Sequence, residues 1–434
     1  PSTPFAERLS AAMLFADISG FTALAERLAQ HGPAGLEELS RVLNDSLGQL
    51  VALITALGGD VVKFAGDALL AIWPATDEEL QAVAHRASQC ALALQATLHD
   101  AHMVKGVRIS IRIGVGAGEV VTAHVGGVYG RWELVHDRCA GSPLAEGESW
   151  RQIGQETRAP DRSASPAHLG APYVRLYDIT TPLPPRFAAP LALPPELDTA
   201  LRAYIPGAIL SRLAAGQTGW LAELRRITVL FVNLPGQDHT MPSALDRAQA
   251  TMRTIQLAVY RYEGSINKLS VDDKGATLVA AFGLPPLAHE DDATRGVQAA
   301  LAIQASLREL GLQSAVGVAT GRVFCGLVGS DQRREYTMIG DTVNLAARLM
   351  QNAAQSPADT ILCDAATYQA AQARMPFEIL PPIVVKGKTE LVPVYQPAAG
   401  RAAAPAREPS AGAQPGGARM VGRTEQRMLL AAQL

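Results

Sequence analysis

Apolar residues fall in two rhythms along this chain. Short apolar runs such as AMLFA (12–16) and TVLFV (228–232) read as buried strands. The stretches 21–57, 78–99 and 242–262 repeat their apolar positions at helical spacing. VVKF-AGD-ALLAIW (61–73) and INKL-SVDDKG-ATLVAAF (266–282) read as hairpins with Gly and Asp in the turns. A strand, one long helical stretch, a hairpin, a helix and further strands predict an α+β fold with helices on a mixed sheet.

That order occurs twice. AAMLFADISGF (11–21), GGDVVKFAGDALLAIW (58–73) and IRIGVGAGEVVTAHVGG (111–127) return in sequence as ITVLFVNLPGQ (227–237), EGSINKLSVDDKGATLVAAF (263–282) and SAVGVATGRVFCGLVGS (314–330). Three blocks in one order predict two copies of one domain, over 1–180 and 225–397. Between them, 181–224 reads as a Pro-rich linker and a helix. Residues 398–419 read as a flexible Ala/Gly/Pro spacer, and 420–434 as the start of a further, truncated module.

Composition narrows the function classes. Lys+Arg is 38 and Asp+Glu 41, which argues against a nucleic-acid binder. Cys90, Cys139, Cys325 and Cys363 are scattered without a CxxC pair, so a zinc ribbon or disulfide framework is not expected and a reducing, cytoplasmic setting is. There is no run of about 18 apolar residues, so no membrane span is expected, and the N-terminus does not read as a signal peptide.

The candidate chemistry is unevenly divided between the copies. Asp17 closes a predicted strand and Asp67 sits in the hairpin turn; together they could hold hard divalent cations beside a substrate phosphate. ISGFT, at the helix start after Asp17, offers backbone N–H groups to a phosphate. Locally, the same residues also make sense as a helix cap and a turn former. In the second copy Asn233 stands where the first has Asp17, so only one copy carries a full metal pair. The chain has six lysines against 32 arginines, and Lys63 and Lys268 hold the same place in the repeat. Each is either an ion-paired strand lysine or, for Lys268, a donor to a ring nitrogen of a base. In EYTMIGDTVNLAARLM (335–350), Asn344 and Arg348 are four apart on one helix face, either solvated or turned to a sugar and a phosphoryl group. Thr337 precedes them on a strand, with a hydroxyl able to meet a base edge.

FADISGFT, KFAGDALLAIW, EYT-x-IGD-x-VNLAAR and the tandem layout together resemble the class III nucleotidyl cyclases, above all the soluble, bicarbonate-responsive adenylyl cyclase type and its bacterial relatives. The resemblance covers most of 8–397. It implies two ferredoxin-like cyclase domains paired within the chain as a pseudo-twofold heterodimer. It further implies an adenylyl cyclase acting on ATP, with Asp17 and Asp67 binding two Mg²⁺ ions (Mn²⁺ or Ca²⁺ as substitutes). Lys268 and Thr337 would read adenine, Asn344 and Arg348 would serve the ribose and the transition state, and Arg112 would contact the triphosphate or act as a sheet-edge arginine. Lys63 would line a second, regulatory cleft for an anion such as bicarbonate. After RWELV (131–135) the chain departs from the family pattern: 136–165 is atypical, the helix expected there reads as shortened and interrupted, and no arginine is assigned as the partner in the anion cleft. MVGRTEQRMLLAAQL resembles the lead-in to a P-loop ATPase module without its GxxxxGK[ST]. The competing expectation is an inactive cyclase-like nucleotide or anion sensor that controls such a module.

Overall fold

Local chemistry builds the first half of the chain in the expected order, with one break. The computed structural model describes residues 3–29, 31–65, 68–98, 103–104, 106–138, 176, 178–187, 194, 197–207, 209–210, 223–234, 243–272, 275–330, 333–356, 359–385, 388 and 390–398, all within one compact unit, Pro1–Ala399. Strand β1 (Phe5–Ser19) leads into α1 (Phe21–Ala29) and α2 (Gly32–Ala56). The sequence predicts one helical stretch over 21–57. Two helices form instead, because Gly32 takes a left-handed φ of 67° and the following Pro33 starts the new helix. Leu39, Leu43, Leu47, Leu50 and Ile54 of α2 are buried at the helical repeat.

Strands β2 (Asp60–Ala65) and β3 (Ala68–Pro74), helix α3 (Leu80–Leu98), the short pair β4 (Met103–Val104) and β5 (Val107–Arg108), and the hairpin β6 (Ser110–Val128) and β7 (Arg131–Arg138) complete the half. Its five-stranded sheet runs β2-β3-β1-β6-β7. Along β1, Ala12, Leu14, Ala16 and Ile18 turn into the core, while Phe15 on the opposite face stays 48% exposed. The run expected to be a buried strand is therefore buried along one face of β1 and open at Phe15 on the other.

After the short helix α4 (Leu197–Arg202) the pattern repeats. It comprises β8 (Glu223–Leu234), α5 (Ala244–Arg261), β9 (Ser265–Asp272), β10 (Gly275–Phe282), α6 (Asp292–Glu309), β11 (Ala315–Gly329) and β12 (Arg334–Ile339). Then come α7 (Asp341–Ala353), β13 (Ile361–Cys363), α8 (Ala365–Ala371), β14 (Phe377–Ile383) and β15 (Val392–Pro397). The sheet order β9-β10-β8-β11, with β12 on β11, repeats that of the first half, and β13, β15 and β14 extend it. The mixed sheets with helices agree with the predicted fold class. Strand β9 reaches Asp272, because Ser270 and Val271 pair with Thr277 and Ala276, so the predicted turn SVDDKG is partly strand.

Strand register establishes the equivalence of the copies. Asp17 lies opposite Ala68 and Arg112; Asn233 lies opposite Thr277 and Ala315. Lys63 opposes Leu70 and Lys268 opposes Val279, and both strands carry a bulge just before the lysine. On the second arms, Glu133 opposes Val125 and Glu335 opposes Val328. By the same register Val135 is the counterpart of Thr337.

The arms reach across. Phe324 and Val328 of the second copy sit in the core built by α1, α2 and α3, and Val125 of the first copy sits in the core of the second. Each large apolar side chain buried this way contributes roughly 1.5–3 kcal/mol. Amide side chains on the long helices hold the arm tips. Gln249 of α5 both accepts from Gly126 N and donates to Gly126 O, each at 2.8 Å, and Asn44 of α2 accepts from Gly329 N at 3.0 Å.

Candidate active site

The end of β1 places Asp17, partly buried, directly across from Arg112 on β6. Directly opposed residues of an antiparallel pair share a face, so the carboxylate and the exposed guanidinium stand on the same side of the sheet. Asp67 lies outside the described residues; Ala68, next to it in sequence, is a strand partner of Asp17. Among the described residues no group of three or more His, Cys, Asp or Glu forms a metal cluster. A carboxylate at a strand end, with a second one residue beyond its strand partner, is the hard oxygen donor chemistry that Mg²⁺ takes.

The other candidate residues lie in the second copy. Lys268 is 6% exposed and Thr337 is 1% exposed. Lys268 donates to Thr337 Oγ1 at 3.3 Å, and its Nζ is 3.5 Å from Glu335 Oε1. A buried ammonium needs such a partner to offset its desolvation. Asn344 and Arg348 lie on α7 as the spacing predicts. Asn344 is exposed, and the Arg348 guanidinium donates to Gln351 Oε1 at 2.8 Å. The structure thus unites Lys268 with Thr337 and opposes Asp17 to Arg112, while the recorded contact of the Arg348 side chain lies on its own helix.

Lys63 does not mirror Lys268. It donates across to Leu269 O, the carbonyl next to Lys268. Burial lowers its pKa to about 8, against the pull of Glu335. Burial raises Glu133 to about 7, with Lys63 opposing, and lowers His136 to about 4, assisted by the Lys63 and His124 charges.

Two residues went unassigned in the sequence reading. Glu335 was within the quoted EYT motif, but its role depends on the other copy: its Oε2 accepts from Phe64 N at 2.9 Å. Lys388, in a KGK run that could have drawn notice, pairs with Asp341 in the first turn of α7 at 2.6 Å.

Residues 6–137 and 222–396 each match the sequence profile of the adenylate and guanylate cyclase catalytic domain. The chain belongs to this cyclase family. It is 30% identical over 442 residues to adenylate cyclase type 10 of Homo sapiens, covering 91% of this chain and 27% of that protein. Its identity to the Mus musculus protein of that name is 30% over 438 residues, with the same coverage. The chain therefore spans 27% of the length of these relatives. A class III adenylyl cyclase-like ATP-binding protein from Pseudomonas aeruginosa shares the fold, with a TM-score of 0.54 at 14% identity over 84% of this chain and 85% of that one. No described helix is long and apolar enough to cross a membrane.

Proposed function

We propose that this chain converts ATP to 3′,5′-cyclic AMP and pyrophosphate at one site assembled from its two cyclase copies, within limits of 1–180 and 225–397. The observation that carries the reading is the division of labour at matched positions. Asp17 stands where the second copy has Asn233, and Thr337 stands where the first has Val135. Only one of the two clefts then has metal-binding and base-reading residues together.

In this mechanism Asp17 and Asp67 would hold Mg²⁺, as two ions. Bound there, Mg²⁺ would lower the pKa of the ribose 3′-hydroxyl and offset charge on the phosphates. Lys268 donates to adenine N1, and Thr337 accepts from the N6 amino group. Guanine presents N1–H and N2–H₂ and needs an acceptor that Lys268 cannot supply, so ATP is favoured over GTP. Asn344 orients the ribose, and Arg112 faces the triphosphate. Arg348 exchanges Gln351 for the phosphoryl oxygens as charge builds there. The 3′-hydroxyl gives its proton to Asp17, directly or through water; the 3′-oxygen forms a bond to the α-phosphorus, the bond from that phosphorus to the bridging oxygen breaks, and pyrophosphate leaves. Lys63 lines the second cleft as a candidate contact for bicarbonate. A cytoplasmic setting fits the free, buried thiols Cys90, Cys325 and Cys363.

The test is cyclic AMP formation from ATP by the purified chain with Mg²⁺, Mn²⁺ or Ca²⁺, with and without bicarbonate. Metal-dependent product is expected. ATP binding by calorimetry without product under any metal would overturn the enzyme reading.

A further inference from the structure

Each lysine strand is tied to the other copy at the residue that follows its lysine. Phe64 follows Lys63, and its N–H donates to Glu335 Oε2 of the second copy at 2.9 Å. Leu269 follows Lys268, and its carbonyl accepts from Lys63 of the first copy. The bulges before both lysines turn further groups toward the arm of the second copy. Val62 O accepts from Arg333 at 2.8 Å, and Asn267 donates to Tyr336 O at 3.2 Å. Glu335 is the hinge of this set. One carboxylate oxygen lies 3.5 Å from the Lys268 ammonium while the other holds the Phe64 amide. Phe64 precedes Asp67 by three residues in sequence.

We infer that Glu335 and Lys63 form a two-way brace that fixes the distance between the base-reading Lys268 and β2, the strand that precedes Asp67 in sequence. Both are positioning residues, because neither needs to touch the nucleotide to act. The inference rests on the adenylyl cyclase reading for the roles of Lys268 and Asp67, but the brace itself is a property of the fold. A lone counter-ion for Lys268 would affect only the nucleotide. A brace couples the two walls, so loosening it weakens nucleotide and metal binding together. Loss of a charged hydrogen bond of this kind corresponds to about a tenfold change.

The experiment compares wild type, Glu335→Ala, Glu335→Gln and Lys63→Met by two readouts. The first is hydrogen exchange, which requires no catalysis. Glu335→Ala should speed exchange at the Phe64 amide in the first copy. Lys63→Met should speed exchange around Leu269 in the second. Glu335→Gln keeps an acceptor for Phe64 and should fall between wild type and Glu335→Ala, which guards against a variant that misfolds. The second readout is cyclic AMP formation: Glu335→Ala should raise the ATP KM and the Mg²⁺ half-saturation each by about tenfold, and Lys63→Met should shift both in the same direction. Unchanged exchange at Phe64 in Glu335→Ala and Glu335→Gln overturns the brace, whatever the activity. Faster exchange with an altered ATP KM but unmoved Mg²⁺ half-saturation reduces Glu335 to a counter-ion and overturns the coupling. A wild type that shows the exchange pattern but makes no product refutes the cyclase reading and leaves the brace standing.

Discussion

Gly114 and Gly317 occupy matched places in the two sheets, opposite Phe15 and Phe231, yet their surroundings are opposite. A Cβ on Gly317 would meet Ala346 O at 2.1 Å and Met350 N at 2.3 Å, because α7 lies directly on the strand. Among the described residues, a Cβ on Gly114 would meet nothing within 4 Å. The second copy has a helix seated over its central strands, and that helix carries Asn344 and Arg348. The first copy has no such helix among its described residues, and Phe15 is correspondingly 48% exposed. What the first copy has instead is Asp17 at the strand end. The comparison teaches that, among the described residues, one fold used twice carries different parts: the helix and the residues proposed to read the base are on one sheet, and the proposed hard-cation ligand Asp17 is on the other.

The largest expected effect separates the strand ends. Asp17→Ala should lower cyclic AMP formation by roughly 10³-fold, as loss of a metal ligand should. Asn233→Ala should stay within about threefold of wild type, since no metal role falls to it. Next come the glycines, read by thermal or denaturant unfolding. Gly317→Ala forces a methyl into the backbone of α7 and should cost about 3 kcal/mol. Gly114→Ala meets no described atom within 4 Å and should stay within about 0.5 kcal/mol of wild type. A smaller effect is expected from Thr337→Val, which gives the second copy the residue of the first. It removes the acceptor for N6 and should raise the ATP KM by about tenfold with little change in kcat, while Val135→Thr should leave both unaltered.

The smallest effect concerns Glu133, whose carboxyl is governed by burial, with Lys63 opposing. Its pKa is raised from 4.5 to about 7. The folded state therefore binds a proton more tightly than the unfolded one, and stability from this group is lost as pH rises from about 4.5 through about 7. His136, lowered from 6.5 to about 4, acts in the opposite sense, so folded stability falls as pH drops through that range. The difference between Glu133→Gln and wild type isolates the carboxyl: the variant should gain relative stability as pH rises from 5 to 7.5. A constant difference across that range would remove Glu133 from the account.

Much of this was readable from residues alone. The repeat offsets paired Asp17 with Asn233 and Lys63 with Lys268, because strand register preserves sequence spacing. Helical period placed Asn344 and Arg348 on one face of α7. The break between α1 and α2 was missed because apolar periodicity runs through Gln30–Gly32 and only the glycine and proline mark the stop. Glu335 and Glu133 were missed for a different reason. Periodicity tells which face of a strand a residue occupies but not what that face meets when an arm crosses to another copy. The division of the two sheet faces depends on the same non-local packing, so Gly114 and Gly317 look alike in sequence. Asp67, the segment 139–175, and the expected spacer and module beyond 398 lie outside the described residues.

The central claim is that the catalytic carboxylate belongs to the first copy and the base-reading wall to the second. The most direct measurement is cyclic AMP formation by the exchanged chain, Asp17→Asn with Asn233→Asp, beside Asp17→Asn alone. The two carboxamide and carboxylate side chains are nearly isosteric, so the fold is unchanged and only the position of the charge moves. Both variants should be equally inactive, because the moved carboxylate faces a cleft without Thr337, Asn344 or Arg348. Restoration of activity in the exchanged chain would show that the two strand ends are interchangeable and would contradict the division of labour between the copies.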